Sequence, residues 1–306
     1  MDTLFTPYGL LAALGLAVTL LTAGLWCRLC SVRYGVWIRL CVLGIPLAWF
    51  GSRLTFCLST LPTYIAWGLD GMLYFWEGGA SLFGALGGLI LAAWLTAKWQ
   101  RVKPGVLLDA IGLGAPLGII IERLAETRVE GLGWGDEIIS AWLQPIGVQS
   151  YGMVWHPVYL YEAVMTGAIL LALLFWLRAH KGPRTSGDLL LVFMTLFGCV
   201  QVVLESLRDD GHMIVHHFVH INQIIAIVLP VVTLAVWTAR LIQRDEKKSR
   251  LIVAWLIIAA CIGIGIKQEF AVDHSENLIL DYGIMAAAMV VVAATALIAR
   301  HRAERV

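Results

Sequence analysis

Arg123 and Arg208 are the side chains in this sequence whose type and placement speak most directly of chemistry. Each guanidinium is a rigid fork of five donors that keeps its charge when partly desolvated, and such forks match the oxygens of a phosphate group. Each also closes a long apolar run with carboxylates beside it: Glu122, Glu126 and Glu130 around Arg123, and Glu205 before Arg208. Two uses fit that placement. The arginines hold an anionic phospholipid head group, or they pair locally, Arg123 with Glu126 or Glu130 and Arg208 with Glu205. In a combined form the carboxylates orient the arginines.

Other groups extend the set. Glu122, Arg123, Glu126, Arg128 and Glu130 place five charges within nine residues. The stretch HPVYLYEA brings His156 to the start of another apolar run, as a base, a head-group contact or a structural interfacial histidine. Behind it Tyr161 and Glu162 enter the run, where Glu162 needs a partner. Arg53 lies inside an apolar run, a placement that costs about 2.5–3.5 kcal/mol in a bilayer and marks a functional candidate. His212, His216 and His220, with His217 adjacent, would share one face if their loop were helical. No carboxylate or cysteine completes a metal signature there, so no metal is expected. Cys27 and Cys30 form a C-x-x-C with no second pair and read as small apolar residues at a helix end. The sequence has no phosphate-binding glycine loop, dinucleotide fingerprint, nucleophile elbow or nucleic-acid footprint; no cofactor and no nucleic-acid partner are implied.

The elements that must position these groups follow from composition. Of 306 residues, 59% are hydrophobic and 14% charged, against about 25% charged in a soluble domain. The polar surface is too small to face water, so the bilayer is the solvent. About 20 apolar residues cross it as a helix. Nine spans meet that length, near 8–26, 36–57, 79–97, 105–121, 157–177, 187–207, 222–241, 251–266 and 280–299. The expected fold is therefore an all-α polytopic bundle. Of the 22 basic residues, 17 fall on alternate connections, which places those connections in the cytoplasm, the N-terminus outside and the C-terminus inside. The N-terminal stretch has no basic cluster, and its first apolar run reads as a retained helix. The outside loop, about 122–156, reads as a small head. Gly84 with Gly88, and Gly114 with Gly118, have the spacing of close helix contacts. The last two spans follow the basic stretch RLIQRDEKKSR and read as an appended hairpin, residues 246–306 after a main membrane domain of 1–245.

In order along residues 6–242, the chain resembles the prolipoprotein diacylglyceryl transferase family. PYGLL at 7–11 is similar to the Tyr-Gly opening of that family's first helix, and WFGSRLTF at 49–56 to the segment carrying an arginine in its second. WEGGASLFGALGG at 76–88 resembles its Gly-Gly-x-Ser-x-His-Gly-Gly segment. Arg123 follows Asp109 by the spacing that precedes the family's signature arginine. HPVYLYEA resembles its His-Pro-x-Gln-Leu-Tyr-Glu, FGCVQVVLESLRDD its helix ending R-F-x-x-E-x-x-R, and the Asn222-Gln223-Ile224 triplet its Gly-Gln pair.

The resemblance implies a bacterial inner-membrane enzyme with seven family-like helices plus the hairpin. It would move the diacylglyceryl group of phosphatidylglycerol to the lipobox thiol of a prolipoprotein, or to another acceptor. Its partners would be phosphatidylglycerol or another anionic phospholipid, and the prolipoprotein signal peptide. On that basis Tyr8, Arg53, Arg123, Gly133, Tyr161, Glu162, Gln201, Glu205 and Arg208 are candidates for substrate binding. Glu126, Glu130 and His156 are candidates for proton handling. The chain departs from the family pattern at its reactive positions. Phe83 stands where the signature histidine is expected, Gln201 where the helix has an arginine, and Tyr159 in place of the glutamine. Glu122, Ala125 and Glu126 replace Gly, Gly and Asn, and Glu130 and Gly133 match only after a one-residue deletion. These departures support an alternative, a repurposed or non-catalytic phospholipid-binding protein on the same scaffold.

Overall fold

The computed structural model describes residues 6–75, 78–179, 187–209, 215–216, 219–244, 246–272, 274, 277–305. Among them nine helices are long and apolar enough to cross a membrane: α1 (Pro7–Leu29), α2 (Tyr34–Ser59), α4 (Leu82–Gln100), α5 (Pro104–Ala125), α6 (Val158–Ala179), α7 (Asp188–Ser206), α8 (Ile221–Ile242), α9 (Lys248–Val272) and α10 (Leu278–Arg305). The architecture is all-α and polytopic, with the helices where the apolar runs lie. A short α3 (Leu61–Trp67) and a 3-10 turn (Leu69–Leu73) connect α2 to α4.

The chain forms two compact units. The first comprises Met1–Leu132 with Ala163–Leu190, the second Gly133–Glu162 with Leu191–Val306.

In the first unit, α1 packs on α5 and α2 on α4. Glycine makes both contacts close. A Cβ on Gly15 would stand 2.6 Å from the carbonyl oxygen of Gly118, and one on Gly51 would stand 2.5 Å from that of Gly84. Gly88 abuts Leu47 and Gly114 abuts Thr19. Both glycine spacings thus act as close helix contacts, where dispersion between backbones replaces the absent hydrophobic drive. Helix starts are capped by side chains: Thr6 Oγ1 accepts from Gly9 N at 3.0 Å, and Ser81 Oγ accepts from Gly84 N. Ser81 explains why α4 begins at Leu82 and not at 79. Asp109, fully buried in α5, accepts from the amides of Gly187 at 3.0 Å and Leu189 at 2.8 Å, satisfying the free donors at the start of α7.

In the second unit, the polar stretch before α6 forms a three-stranded antiparallel sheet. Its order is β1 (Trp134–Glu137), β3 (Met153–Pro157), β2 (Val148–Ser150). A single bridge joins Gly135 to Arg208, just past α7. The histidine-rich stretch contains a two-stranded ladder, β4 (Val215–His216) and β5 (Val219–His220). The helical metal face considered for His212, His216 and His220 is therefore not formed, because a strand's period of two replaces the helical period there. His212 and His217 lie outside the described residues. Thr195 and Thr233, 2.7 Å apart, link α7 to α8, and Gln268 donates to Asp281 at 2.9 Å between α9 and α10.

Candidate functional site

In the first unit, α1, α2, α4 and α5 line a half-open cavity of about 600 Å³. Its walls are apolar, with Leu16, Ile45, Trp49 and Leu86 among the lining residues. Tyr8 and Glu122 line one end, and Thr19 lies eleven residues further along α1. At about 1.5 Å per residue that is about 16 Å, roughly half the ~30 Å hydrocarbon thickness of a bilayer. The volume falls within the roughly 300–1,000 Å³ of ligand pockets.

A polar cluster stands at the Tyr8 end. The Tyr8 hydroxyl donates to Glu122 Oε1 at 3.1 Å, bridging 114 residues of sequence. Arg123 is 5% exposed; its Nη1 donates to Glu126 Oε1, and its Nε lies 3.7 Å from Glu122 Oε2. Glu126 is itself buried, whereas Glu130 is exposed. Arg123 sits in the last turn of α5, where the helix dipole favours a cation. Past it the chain turns through Gly131 and Gly133, at φ of 77° and 71°, values that suit residues without a Cβ. The Gly133 carbonyl accepts from Tyr159 N at 3.0 Å.

Arg53 directs its donors to the loop after α2. They reach the carbonyl oxygens of Gly71 at 3.0 Å, Met72 at 3.3 Å, Tyr74 at 3.2 Å and Gly79 at 3.3 Å, and also that of Gly78. A guanidinium fork is the one side chain with enough donors to satisfy so many carbonyls at once. Phe83, at the start of α4, is buried and carries no titratable group.

The second unit holds a separate buried ion pair. Arg208 Nη1 donates to Glu162 Oε2 at 3.1 Å, with the side chains 6% and 0% exposed. Glu162 thereby has the partner that its burial demands, supplied from beyond α7 and not from its own helix. Glu205, also buried, accepts from Asn222 Nδ2 at 3.2 Å. Gln201 is fully buried, and neither its amide oxygen nor its nitrogen has a hydrogen-bond partner among the described residues. His156, in β3, lies 3.1 Å through Nδ1 from the Tyr161 hydroxyl. Burial pushes the His156 imidazole below its usual value, so it is neutral at pH 7.

Within each unit, then, the candidate residues gather into defined sets. Tyr8, Arg123 and Glu126 meet in the first unit. Glu162 meets Arg208, and His156 meets Tyr161, in the second. Glu122, not among the site candidates drawn from the sequence, joins the first set; its signals were its place beside Arg123 and a charge where the family pattern has glycine.

The family model for prolipoprotein diacylglyceryl transferase matches residues 4–239. The chain belongs to that family. Its matched region ends within α8 and leaves α9 and α10 outside. Among curated members, the phosphatidylglycerol–prolipoprotein diacylglyceryl transferase of Bordetella parapertussis is 31% identical over 173 residues, 56% of this chain and 64% of that protein. The enzyme of the same name from Teredinibacter turnerae is 34% identical over 142 residues, 45% of this chain and 47% of that protein. The one from Symbiobacterium thermophilum is 25% identical over 233 residues, 74% of this chain and 85% of that protein. The chain spans 64% of the length of the Bordetella relative. These prolipoprotein diacylglyceryl transferases are transferases of lipoprotein biosynthesis, and this member has, among its described residues, nine helices long and apolar enough to cross a membrane.

Proposed function

We propose that this protein transfers the diacylglyceryl group of phosphatidylglycerol to a thiol, the lipobox cysteine of a prolipoprotein being the first acceptor to test. The carrying observation is the one-leaflet-deep apolar cavity whose polar end holds Tyr8 and Glu122, next to Arg123. An acyl chain fits the apolar part, and a head-group phosphate beside Arg123 would exchange a carboxylate partner for a phosphate one. Glu126 orients the arginine until then. Arg208, oriented by Glu162, is the second cation of the reading. Arg53, which clamps the loop after α2, is a further substrate-binding candidate in the first unit, and Gly133, Tyr161, Gln201 and Glu205 are the candidates in the second. Glu126, Glu130 and His156 are the proton-handling candidates; of these, His156 is the neutral base at pH 7. The protein sits in the bacterial inner membrane with its N-terminus and the 122–156 region outside and its C-terminus in the cytoplasm. The 1–245 portion carries the transferase and 246–306 is an added two-helix segment.

A second reading, a phospholipid-binding protein without catalysis, is favoured by the apolar Phe83 and by the buried amide of Gln201, which has no hydrogen-bond partner among the described residues. Purified protein in phosphatidylglycerol vesicles with a lipobox peptide separates the two. Thioether formation supports the transferase. Phosphatidylglycerol binding without product supports the second.

A further inference from the structure

The cavity in the first unit is lined by 22 residues, of which Tyr8 and Glu122 alone are titratable. Glu126 is absent from that lining. Its carboxylate is engaged with Arg123 and it is 2% exposed. From α4 and its N-cap the lining receives Ser81, Leu82, Ala85, Leu86 and Leu89, none of which takes a proton near neutral pH. Glu122 differs from all of these. It faces the cavity, it receives the Tyr8 hydroxyl at 3.1 Å on one oxygen, and Arg123 Nε stands 3.7 Å from the other. Both neighbours fix the direction of its carboxylate.

We propose that Glu122 is the group that accepts the proton of the acceptor thiol, with Tyr8 and Arg123 as the residues that position it. The inference rests on the transferase reading above. A thiol with an ordinary pKa near 8.5 is only a few per cent thiolate at pH 7. A carboxylate is the weaker base, so proton transfer accompanies carbon–sulfur bond formation and does not precede it. In the step, the S–H proton moves to a Glu122 oxygen while the sulfur pair attacks the glyceryl carbon that bears the phosphate ester. The C–S bond forms, the C–O bond to phosphate breaks, and its electron pair leaves on the phosphate oxygen. That oxygen then takes the proton from Glu122, releasing glycerol phosphate and restoring the carboxylate. Arg123 faces the charge that develops on the departing phosphate, and as it turns to that anion its hold on Glu122 slackens, which makes the carboxylate a better base.

The test is Glu122→Gln in phosphatidylglycerol vesicles with a lipobox peptide, followed across pH 6 to 9. The expected loss is about 10²-fold at pH 7. Because the thiolate must then come from solvent, the variant's rate rises about tenfold per pH unit up to about pH 8.5, where the wild type stays nearly flat. Binding of spin-labelled phosphatidylglycerol within twofold of wild type shows that the cavity survives. A variant within threefold of wild type, or one slowed with an unchanged flat profile, overturns the inference alone. A wild type that makes no thioether overturns both the inference and the transferase reading. Should the Gln variant fail to fold, Tyr8→Phe decides. Losing one hydrogen bond to a charged group lowers the rate about tenfold, and an unchanged rate overturns the proposal.

Discussion

Glu162 and Arg208 lie 46 residues apart in sequence and meet at 3.1 Å, with side chains 0% and 6% exposed. The acid comes from the first turns of α6 and the base from two residues past the end of α7. Neither charge belongs in an apolar helix bundle by itself, and each offsets the desolvation of the other. Removing one partner leaves a buried uncompensated charge, at a cost of about 3–5 kcal/mol. Glu162→Gln should therefore lower the detergent-solubilised unfolding midpoint strongly. Adding Arg208→Gln should recover part of that loss, and a simple sum of the two single losses would show that the pair is not coupled.

Arg53 predicts a local effect. Its donors reach five backbone carbonyls between Gly71 and Gly79. Lysine offers a compact ammonium with three donors and cannot span them. Arg53→Lys should speed hydrogen exchange in the Leu69–Leu73 turn by tenfold or more, the equivalent of about 1–2 kcal/mol of lost hydrogen bonding. Exchange in α1 and α5 should stay unchanged.

The cavity predicts an effect on lipid binding. Ala85 lines it from α4, so Ala85→Phe fills the space that the proposed function gives to an acyl chain. The phosphatidylglycerol KM should rise about tenfold, a loss of about 1.4 kcal/mol of binding, with kcat little changed. An unaltered KM would place the chain elsewhere.

His156 makes stability depend on pH in a defined direction. Burial lowers its folded pKa below the usual 6.5, so the unfolded chain binds the proton more readily. Its contribution is fully present above about pH 6.5 and fades as pH falls through the lower folded value. The unfolding midpoint should drop on acidification from pH 6.5, and His156→Gln should flatten that slope. A slope that persists unchanged in the variant would assign it to other groups.

The nine helices were legible because about 20 consecutive apolar residues have few other uses, and the alternating basic loops supported the count. Gly84, Gly88, Gly114 and Gly118 announced close contacts by spacing alone, and the structure places backbone against each of them. The sheet at 134–157 was not legible: its strands are three to five residues long, with no room to establish a period of two. Nor was the Glu162–Arg208 pair. Local spacing offered Glu205 to Arg208, but could not offer Glu162, which lies 46 residues away in sequence and meets Arg208 Nη1 at 3.1 Å. Local spacing did offer Glu126 to Arg123, one helical turn away, and there the pairing holds. Tyr8 and Glu122 meet only because the glycine contacts draw α1 against α5, a consequence of packing that no single segment encodes.

The most direct measurement is mass spectrometry of a lipobox peptide incubated with the purified protein in phosphatidylglycerol vesicles, with a family member that has the full signature run in parallel. A peptide carrying one diacylglyceryl thioether, with one glycerol phosphate released for each, is the predicted result. Bound phosphatidylglycerol with an unmodified peptide, while the parallel enzyme modifies it, would contradict the transferase assignment.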